Sequence, residues 1–182
     1  MAVASIARRL FREEKSAGKG KVMNAVEAVI VEAVRTPVGK RGGALKDWHP
    51  ADLLAQTLAT LVDRSGLDPE RLDDVIAGCA LQRGEQAGNI ARNASLGAGL
   101  PESLPATTID RQCGSGQQAV HFAAQGVLSG SYKFAIGCGI ESMSRVDLGP
   151  LFLPGAPLGA EHRTALLPKA SAVAPPAGRV FA

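Results

Sequence analysis

The sequence is poor in several residue classes, and each shortage argues against a type of protein. Aromatic residues make up only 4% of the 182 residues, so the aliphatic side chains of Ala, Val, Leu and Ile must fill any core. No apolar run approaches the ~18 residues that a membrane-spanning helix needs, which argues against a membrane span. There is no Cys-x-x-Cys pair or His-Glu-x-x-His motif, and the three histidines are scattered, so no metal site is predicted.

Cysteine is also scarce in this chain. Cys79, Cys113 and Cys138 are odd in number and widely spaced, and no secretory signal precedes them. Such usage is typical of free thiols in a reducing compartment. We therefore expect a cytoplasmic protein of a bacterial cell, and a peroxisomal or mitochondrial location only if the source is eukaryotic.

The positive charge of the chain is unevenly distributed. The formal net charge is +3, but residues 1–22 carry six basic and two acidic side chains and so hold a charge of +4. The other 160 residues are near neutrality, at −1. A protein that binds nucleic acid over a broad face needs clustered Lys and Arg on its globular surface. The near-neutral body thus argues against nucleic acid as a partner.

Composition divides the chain into three segments. Residues 1–24 form a basic leader whose apolar residues are spaced for one helical face, and we expect it to be a disordered appendage or a targeting address. Residues 25–147 carry regular patterns of short apolar runs and amphipathic stretches. Residues 148–182 are rich in Ala, Gly, Pro and Leu, follow neither period, and are expected to form an irregular tail.

Strand and helix patterns alternate through the middle segment. The predicted elements are, in chain order, a strand over 26–34, a helix from Pro50 to a stop at Gly66, a strand over 74–80, a helix over 87–96, a strand over 106–110, a helix over 114–128 and a strand over 132–138. Strands that alternate with helices indicate βαβ units with mostly parallel pairing. The predicted fold class is therefore α/β.

Cys113 lies where the third predicted strand of this segment ends and its last predicted helix begins. A thiol at a helix N-terminus feels the positive end of the macrodipole and nearby unpaired N–H groups, which favour the thiolate. The small residues that follow let a bulky acyl group approach the backbone. The position therefore suits a nucleophile, although a cysteine at such a turn is more often a small buried hydrophobe.

Residues 113–119 (Cys-Gly-Ser-Gly-Gln-Gln-Ala) strongly resemble the nucleophile segment of the thiolases, the acyltransferases that form or cleave 3-ketoacyl-CoA. Three further segments resemble thiolase motifs in the family's order, namely VIVEAVRTPVGKRGG at 29–43, NIARNA at 89–94 and GCGIESMS at 137–144. The resemblance covers roughly residues 25–146 and only the N-terminal portion of a full thiolase. It implies a mostly parallel sheet with helices on both faces.

The resemblance also implies a mechanism. Cys113 would attack the 3-keto carbon, acetyl-CoA would leave, and a second CoA would collect the acyl group from the thioester, as in ping-pong covalent catalysis. In the family, the backbone N–H of this cysteine also contributes to an oxyanion hole. Substrates would be CoA and acyl-CoA, with no separate cofactor. The residues expected to line or support the pocket are Gly114, Ser115, Gly139, Ser142 and Met143.

Three catalytic motifs of the family's C-terminal half are missing from this sequence: the Gly-His-Pro histidine, the Cys-Gly-Gly cysteine and the Asn-Glu-Ala-Phe asparagine. Trp48-His49-Pro50 is a superficial match, and His49 is interpreted as structural. Cys79 and Cys138 are interpreted as inert core thiols. The expected form is therefore a thiolase recorded from a truncated or frameshifted reading frame.

Two alternatives to this interpretation stay open. The chain could be a non-catalytic domain that dimerises with itself or with a full-length thiolase subunit through the strand over 106–110. It could also be a condensing enzyme similar to the ketoacyl synthases, which likewise place a cysteine at a helix start.

Overall fold

A computed structural model describes residues 3–12 and 25–147 of the chain. Residues 1–2 and 13–24 of the leader and the tail 148–182 lie outside the described residues. The main elements are β1 (Val3–Arg12), β2 (Ala25–Arg35), α1 (Pro50–Ser65), β3 (Asp74–Gly78), α2 (Ile90–Gly97), β4 (Ala106–Ile109), α3 (Ser115–Ser129) and β5 (Phe134–Gly139). Each strand and helix predicted for the middle segment is present, with ends that differ by a few residues.

The strands form one five-stranded sheet in the order β2-β1-β5-β3-β4. Strand β3 pairs in parallel with β4 and with β5. Strand β1 is antiparallel to both of its neighbours, β2 and β5. Every strand except β1 therefore runs in the same direction, which confirms the predicted mostly parallel α/β sheet.

Strand β1 departs from what the leader's sequence indicates. Its apolar residues have helical spacing, but Val3–Arg12 is a strand that pairs with β2 along its length and with β5 over Val3–Arg8. The sheet provides hydrogen-bond partners on both sides of this segment, and satisfying the backbone groups outweighs the helical pattern. For these ten residues, the expected disordered leader is replaced by an internal strand of the sheet.

Helices cover both faces of the sheet, as predicted. Alternate strand residues point to opposite faces. Val75 and Ala77 of β3 pack in the larger core cluster with α1 and α2, whereas Ile76 between them packs with Ala119 and Ala123 of α3. Strands β3 and β5 are thus buried on both sides, which explains their continuous apolar runs.

His49 caps the start of α1. Its Nδ1 accepts a hydrogen bond from the backbone N–H of Ala51 at 3.2 Å, and Pro50 follows at the first helical position. The helix ends at Gly66, which adopts a left-handed conformation with φ of 63°. The interpretation of His49 as structural is confirmed, because a capping contact accounts for its place in the sequence.

Glycines allow α3 to lie unusually close to the sheet. A Cβ atom on Gly78 of β3 would lie 2.1 Å from the carbonyl carbon of Ser115, and one on Gly137 of β5 would lie 2.5 Å from the Cα of Val120. Only residues without a side chain permit these approaches. The two strand glycines therefore determine where the first turns of α3 lie.

Candidate functional site

The carboxyl ends of the three parallel strands β3, β4 and β5 meet at one edge of the sheet. The backbone N–H of Ile140 donates to the carbonyl of Gly78 at 3.0 Å, and that of Cys79 donates to the carbonyl of Ile109 at 3.0 Å. The loops that follow these strands therefore start side by side. In open α/β sheets this edge is where ligands bind.

Cys113 lies on the loop between β4 and α3, two residues before the first residue of the helix. It is exposed to solvent, whereas Cys79 and Cys138 are buried. The preceding residue, Gln112, has a φ of 50°, a left-handed conformation that is uncommon for a residue with a side chain. A sharp, strained turn between a strand and a helix is a recurrent way to expose a nucleophile.

Two side chains hold this turn in place. The carboxylate of Asp110 accepts hydrogen bonds from the backbone N–H of Gln112 at 2.7 Å and from its Nε2 at 3.3 Å. The buried hydroxyl of Ser115 donates to the carbonyl of Gln112 at 2.6 Å and accepts from the backbone N–H of Arg111 at 2.8 Å. Ser115 thus supports the turn around Cys113, and Gly114 is the residue that caps α3.

The turn after β5 begins against the first turn of α3. Gly139 is buried, and a Cβ on it would lie 3.1 Å from the Cα of Gly116. Ser142 is partly buried on the loop that follows, and Met143 is 48% exposed. The structure therefore brings Gly139 next to the helix that Cys113 precedes, and it places Ser142 and Met143 on the adjoining loop.

Gln86 is a central residue of this region that the sequence patterns did not single out. Its side chain is fully buried, and its Oε1 accepts from the backbone N–H of Ser142 at 2.7 Å. Its Nε2 donates to the Oε1 of Glu141 at 2.7 Å. These partners are far apart in the chain, so no local pattern could have identified them.

The two buried thiols differ chemically from Cys113. Burial, together with the nearby Glu141 carboxylate, raises the pKa of Cys79 from 9.0 to about 12. Burial alone raises the pKa of Cys138 from 9.0 to about 12. Both groups are protonated at neutral pH, and their interpretation as core thiols is confirmed by their place in the larger core cluster.

A shallow cavity of about 450 Å³ lies beside the loop that follows β5. Its lining combines the basic residues Arg41, Lys46 and Arg145 with the acidic residues Asp47 and Glu85. The guanidinium of Arg145 forms an ion pair with the carboxylate of Glu85 and lowers the pKa of that carboxyl group. The acidic residues thus offset much of the positive charge of this cavity.

Neither a membrane-crossing element nor a metal cluster emerges from the part of the chain that the structure describes. Its helices are too short or too polar to span a bilayer. Over the same described residues, no three His, Cys, Asp or Glu side chains are grouped closely enough to hold a metal ion.

Two known proteins whose sequences are similar to this chain are both named thiolases. A steroid 3-ketoacyl-CoA thiolase of Mycobacterium tuberculosis is 49% identical over 142 residues, which cover 78% of this chain and 34% of that protein. A 3-oxoadipyl-CoA/3-oxo-5,6-dehydrosuberyl-CoA thiolase of Escherichia coli is 50% identical over 120 residues, or 65% of this chain and 30% of that protein. The chain therefore spans about a third of the length of these relatives.

A solved structure and a family model agree with these relatives. The acetyl-CoA acetyltransferase of Bacillus anthracis matches with a TM-score of 0.62 and 42% identity, over 65% of this chain and 30% of that one. The model of the N-terminal domain of thiolase matches residues 28–170. That range includes most of β2, all of β3 to β5, the loop of Cys113 and part of the tail, so the chain belongs to the thiolase family.

Proposed function

We propose that this chain carries the nucleophilic half of a thiolase-type acyl transfer, in which acyl-CoA and acetyl-CoA interconvert with 3-oxoacyl-CoA and CoA. The observation that carries the proposal is the position of Cys113. It is the exposed thiol of the three, it stands on a strained turn before α3, and it lies at the carboxyl edge of the parallel strands. The relatives named as thiolases support the same reaction class.

The chemical step forms a thioester on the protein. The thiolate of Cys113 attacks the 3-keto carbon of a 3-oxoacyl-CoA, and the bond between C2 and C3 breaks. The electron pair of that bond remains on C2, which takes up a proton and leaves as acetyl-CoA. The acyl group stays on Cys113 until the thiolate of a second CoA attacks the thioester and regenerates the free thiol.

The local backbone supports this step. The N-terminus of α3 lies just beyond Cys113, and the positive end of a helix stabilises both a thiolate and the oxyanion that forms during attack. We assign Gly114 and Ser115 to support of the nucleophile, and Gly139, Ser142 and Met143 to the wall of the acyl pocket. Gly139 supports this assignment best, because it packs against the first turn of α3.

The motifs that these 182 residues lack limit which steps of the reaction they can catalyse. The histidine that activates the nucleophile and the cysteine that moves protons in thiolases belong to motifs absent here. We therefore propose that Cys113 of these 182 residues accepts an acyl group slowly and that they do not complete rapid cycles by themselves.

The test is acylation of the purified chain by acetyl-CoA or acetoacetyl-CoA, followed by intact mass and peptide mapping. We expect one acetyl group on Cys113, with release of one equivalent of CoA from acetyl-CoA or of one equivalent of acetyl-CoA from acetoacetyl-CoA. Cys113→Ala should abolish the adduct. Ser103→Ala changes an exposed residue in the loop before β4 and serves as the control that should be acylated normally.

Two results would contradict the proposal. An adduct that forms equally in Cys113→Ala would assign acylation to another group. No adduct above the level of the denatured protein would favour the non-catalytic alternative. The thiolase family match leaves the ketoacyl-synthase alternative without support from these comparisons.

We further propose that β4 mediates association with a second copy or with a full-length thiolase subunit. β4 is the last strand in the sheet order, with β3 on one side, so its other edge offers backbone groups for strand pairing. Light scattering should give the mass of a dimer. Because Val75 of β3 and Cys79 just after it donate to the carbonyls of Pro105 and Ile109, the N–H of Ala106 faces the open edge of β4. Ala106→Pro, which removes that donor at the first residue of the strand, should shift the chain toward the monomer. An unchanged dimer would assign the contact elsewhere.

A further inference from the structure

Two loops at the carboxyl edge of the sheet are joined by a pair of polar side chains. One loop follows β3 and contains Gln86, and the other follows β5 and contains Glu141. These residues are 55 positions apart in the chain, and the Nε2 of Gln86 lies 2.7 Å from the Oε1 of Glu141. We call this pair and its backbone partners the amide clamp.

The amide clamp uses both ends of the Gln86 side chain. Besides Glu141, its Nε2 donates to the carbonyl of Leu81 at 2.9 Å and lies 3.4 Å from the Sγ of Cys79. Its Oε1 accepts from the backbone N–H of Ser142 at 2.7 Å. Two donor hydrogens and an acceptor are thus satisfied inside the protein, as a fully buried amide requires.

Glu141 extends the clamp to the end of β3. Its Oε2 accepts from the backbone N–H of Ala80 at 2.8 Å, while its Oε1 receives the Gln86 amide. The carboxylate therefore bridges the first residues after β3 and the side chain of Gln86. Charged acceptors make stronger hydrogen bonds than neutral ones, particularly away from water.

The clamp fixes the start of the loop that carries Ser142 and Met143. Gly139 is held against Gly116 in the first turn of α3, and three residues later the N–H of Ser142 is held by Gln86. The short segment between these points has little freedom to move relative to α3. Cys113 immediately precedes the same helix, so the clamp indirectly sets the distance from the loop to the thiol.

We propose that Gln86 is a positioning residue for acyl transfer to Cys113. It acts through the backbone of Ser142 and holds the loop of Ser142 and Met143 where an acyl group on Cys113 must fit. Gln86 itself stays buried and does not contact the acyl group. The inference rests on the proposed function of Cys113.

The primary test compares two rate constants of Cys113 in Gln86→Met. Methionine fills nearly the same volume but makes none of the amide hydrogen bonds. We expect acylation by acetyl-CoA to slow on the order of tenfold to a hundredfold, because small misplacements of supporting groups have effects of that size. The rate constant for alkylation of Cys113 by iodoacetamide should change by less than about twofold, because this small reagent needs no positioned acyl pocket.

A matched control lies on the same loop. Gln82 is exposed, and its Nε2 makes one hydrogen bond, to the carbonyl of Cys79 at 3.1 Å. Gln82→Met should leave both rate constants of Cys113 unchanged. Hydrogen exchange provides a readout that does not depend on activity: the amide of Ser142 should exchange faster in Gln86→Met and at the wild-type rate in Gln82→Met.

An exchange of the two side chains tests the contact even if Gln86→Met fails to fold. Gln86→Glu alone puts two carboxylates in contact, and Glu141→Gln alone removes the charged acceptor. The double variant restores an amide opposite a carboxylate, although the carbonyl of Leu81 then lacks its donor, so it should acylate faster than Gln86→Glu, the slower of the two single variants. A double variant no faster than the slower single variant would overturn the proposal.

The remaining outcomes also decide the question. If Gln86→Met loses protection at Ser142 but acylates at the wild-type rate, the clamp is structural only and the inference is wrong. If the wild-type chain forms no adduct on Cys113, the proposed function fails and the inference fails with it. The two failures are distinguished by the wild-type adduct, which is present in the first case and absent in the second.

Discussion

At the scale of single residues, the three thiols are separated by their exposure to solvent. Cys113 is exposed on its loop, whereas Cys79 and Cys138 are buried among aliphatic side chains. Burial disfavours the charged thiolate, which explains why the pKa of each buried thiol is raised to about 12. Burial thus divides three chemically identical side chains into a candidate nucleophile and two core residues.

This division predicts selective alkylation. Iodoacetamide at about pH 8 should modify Cys113 in the native chain and leave Cys79 and Cys138 unmodified, because the thiolate is the reactive form and only Cys113 is accessible. Peptide mapping after a short reaction checks this. In concentrated urea all three thiols should react at similar rates. If Cys79 or Cys138 were modified in the native protein as fast as Cys113, that result would contradict the burial of these two thiols.

At the scale of elements, the placement of α3 depends on glycines of the strands beneath it. Gly78 and Gly137 let the backbone of α3 approach within distances that no side chain would allow. The same close packing puts Gly116 of the helix beside Gly139. The position of Cys113 at the sheet edge is therefore a consequence of residues on two other strands.

Two glycine substitutions should have opposite effects on stability. Gly78→Ala would put a Cβ 2.1 Å from the backbone of Ser115, so the helix must shift, and we expect a loss of about 3 kcal/mol or more in unfolding free energy. In Gly116→Ala the new Cβ would lie 3.9 Å from the Cα of Gly139, an ordinary van der Waals contact, so the helix should tolerate the change or gain about 0.5–1 kcal/mol in stability. Urea denaturation measures both, and a Gly78→Ala variant as stable as wild type would refute the packing argument.

The sequence predicted most of the helices and strands but not the contacts between them. Pro50 and Gly66 mark the ends of α1 by local rules of backbone conformation, so that helix could be located without a structure. The strand formed by Val3–Arg12 could not be predicted in this way. The helical spacing of its apolar residues is a local signal, whereas its pairing with β5 joins segments that are far apart in the chain. The Gln86–Glu141 contact was out of reach for the same reason.

At the scale of the whole molecule, two buried thiols and one partly buried phenol make the stability of the fold depend on alkaline pH. The hydrogen bond from Tyr132 to the Asp74 carboxylate raises the pKa of that phenol from 10.0 to about 12. Together with Cys79 and Cys138, three groups therefore keep their protons in the folded state at a pH where they lose them in the unfolded state. The unfolded state then binds fewer protons, so rising pH favours unfolding.

The expected result is a stability that falls with increasing pH. The free energy of unfolding should keep its full value below the unfolded pKa values of 9.0 and 10.0, and it should decline as the pH rises toward about 12. Urea denaturation from about pH 8 to about pH 11 measures the change. Tyr132→Phe removes one of the three groups and should give a shallower decline. A free energy of unfolding that stays constant over this interval would contradict the assignment.

The sequence by itself determined the family resemblance, the nucleophile candidate and the run of alternating strands and helices, because these depend on short motifs and local backbone preferences. Only the tertiary structure decided that Val3–Arg12 lies inside the sheet, that Cys113 is the exposed thiol, and that Gln86 holds the loop of Ser142. These features join residues far apart in the chain. Burial and hydrogen bonding between distant segments are properties of the folded sheet, and a linear pattern does not contain them.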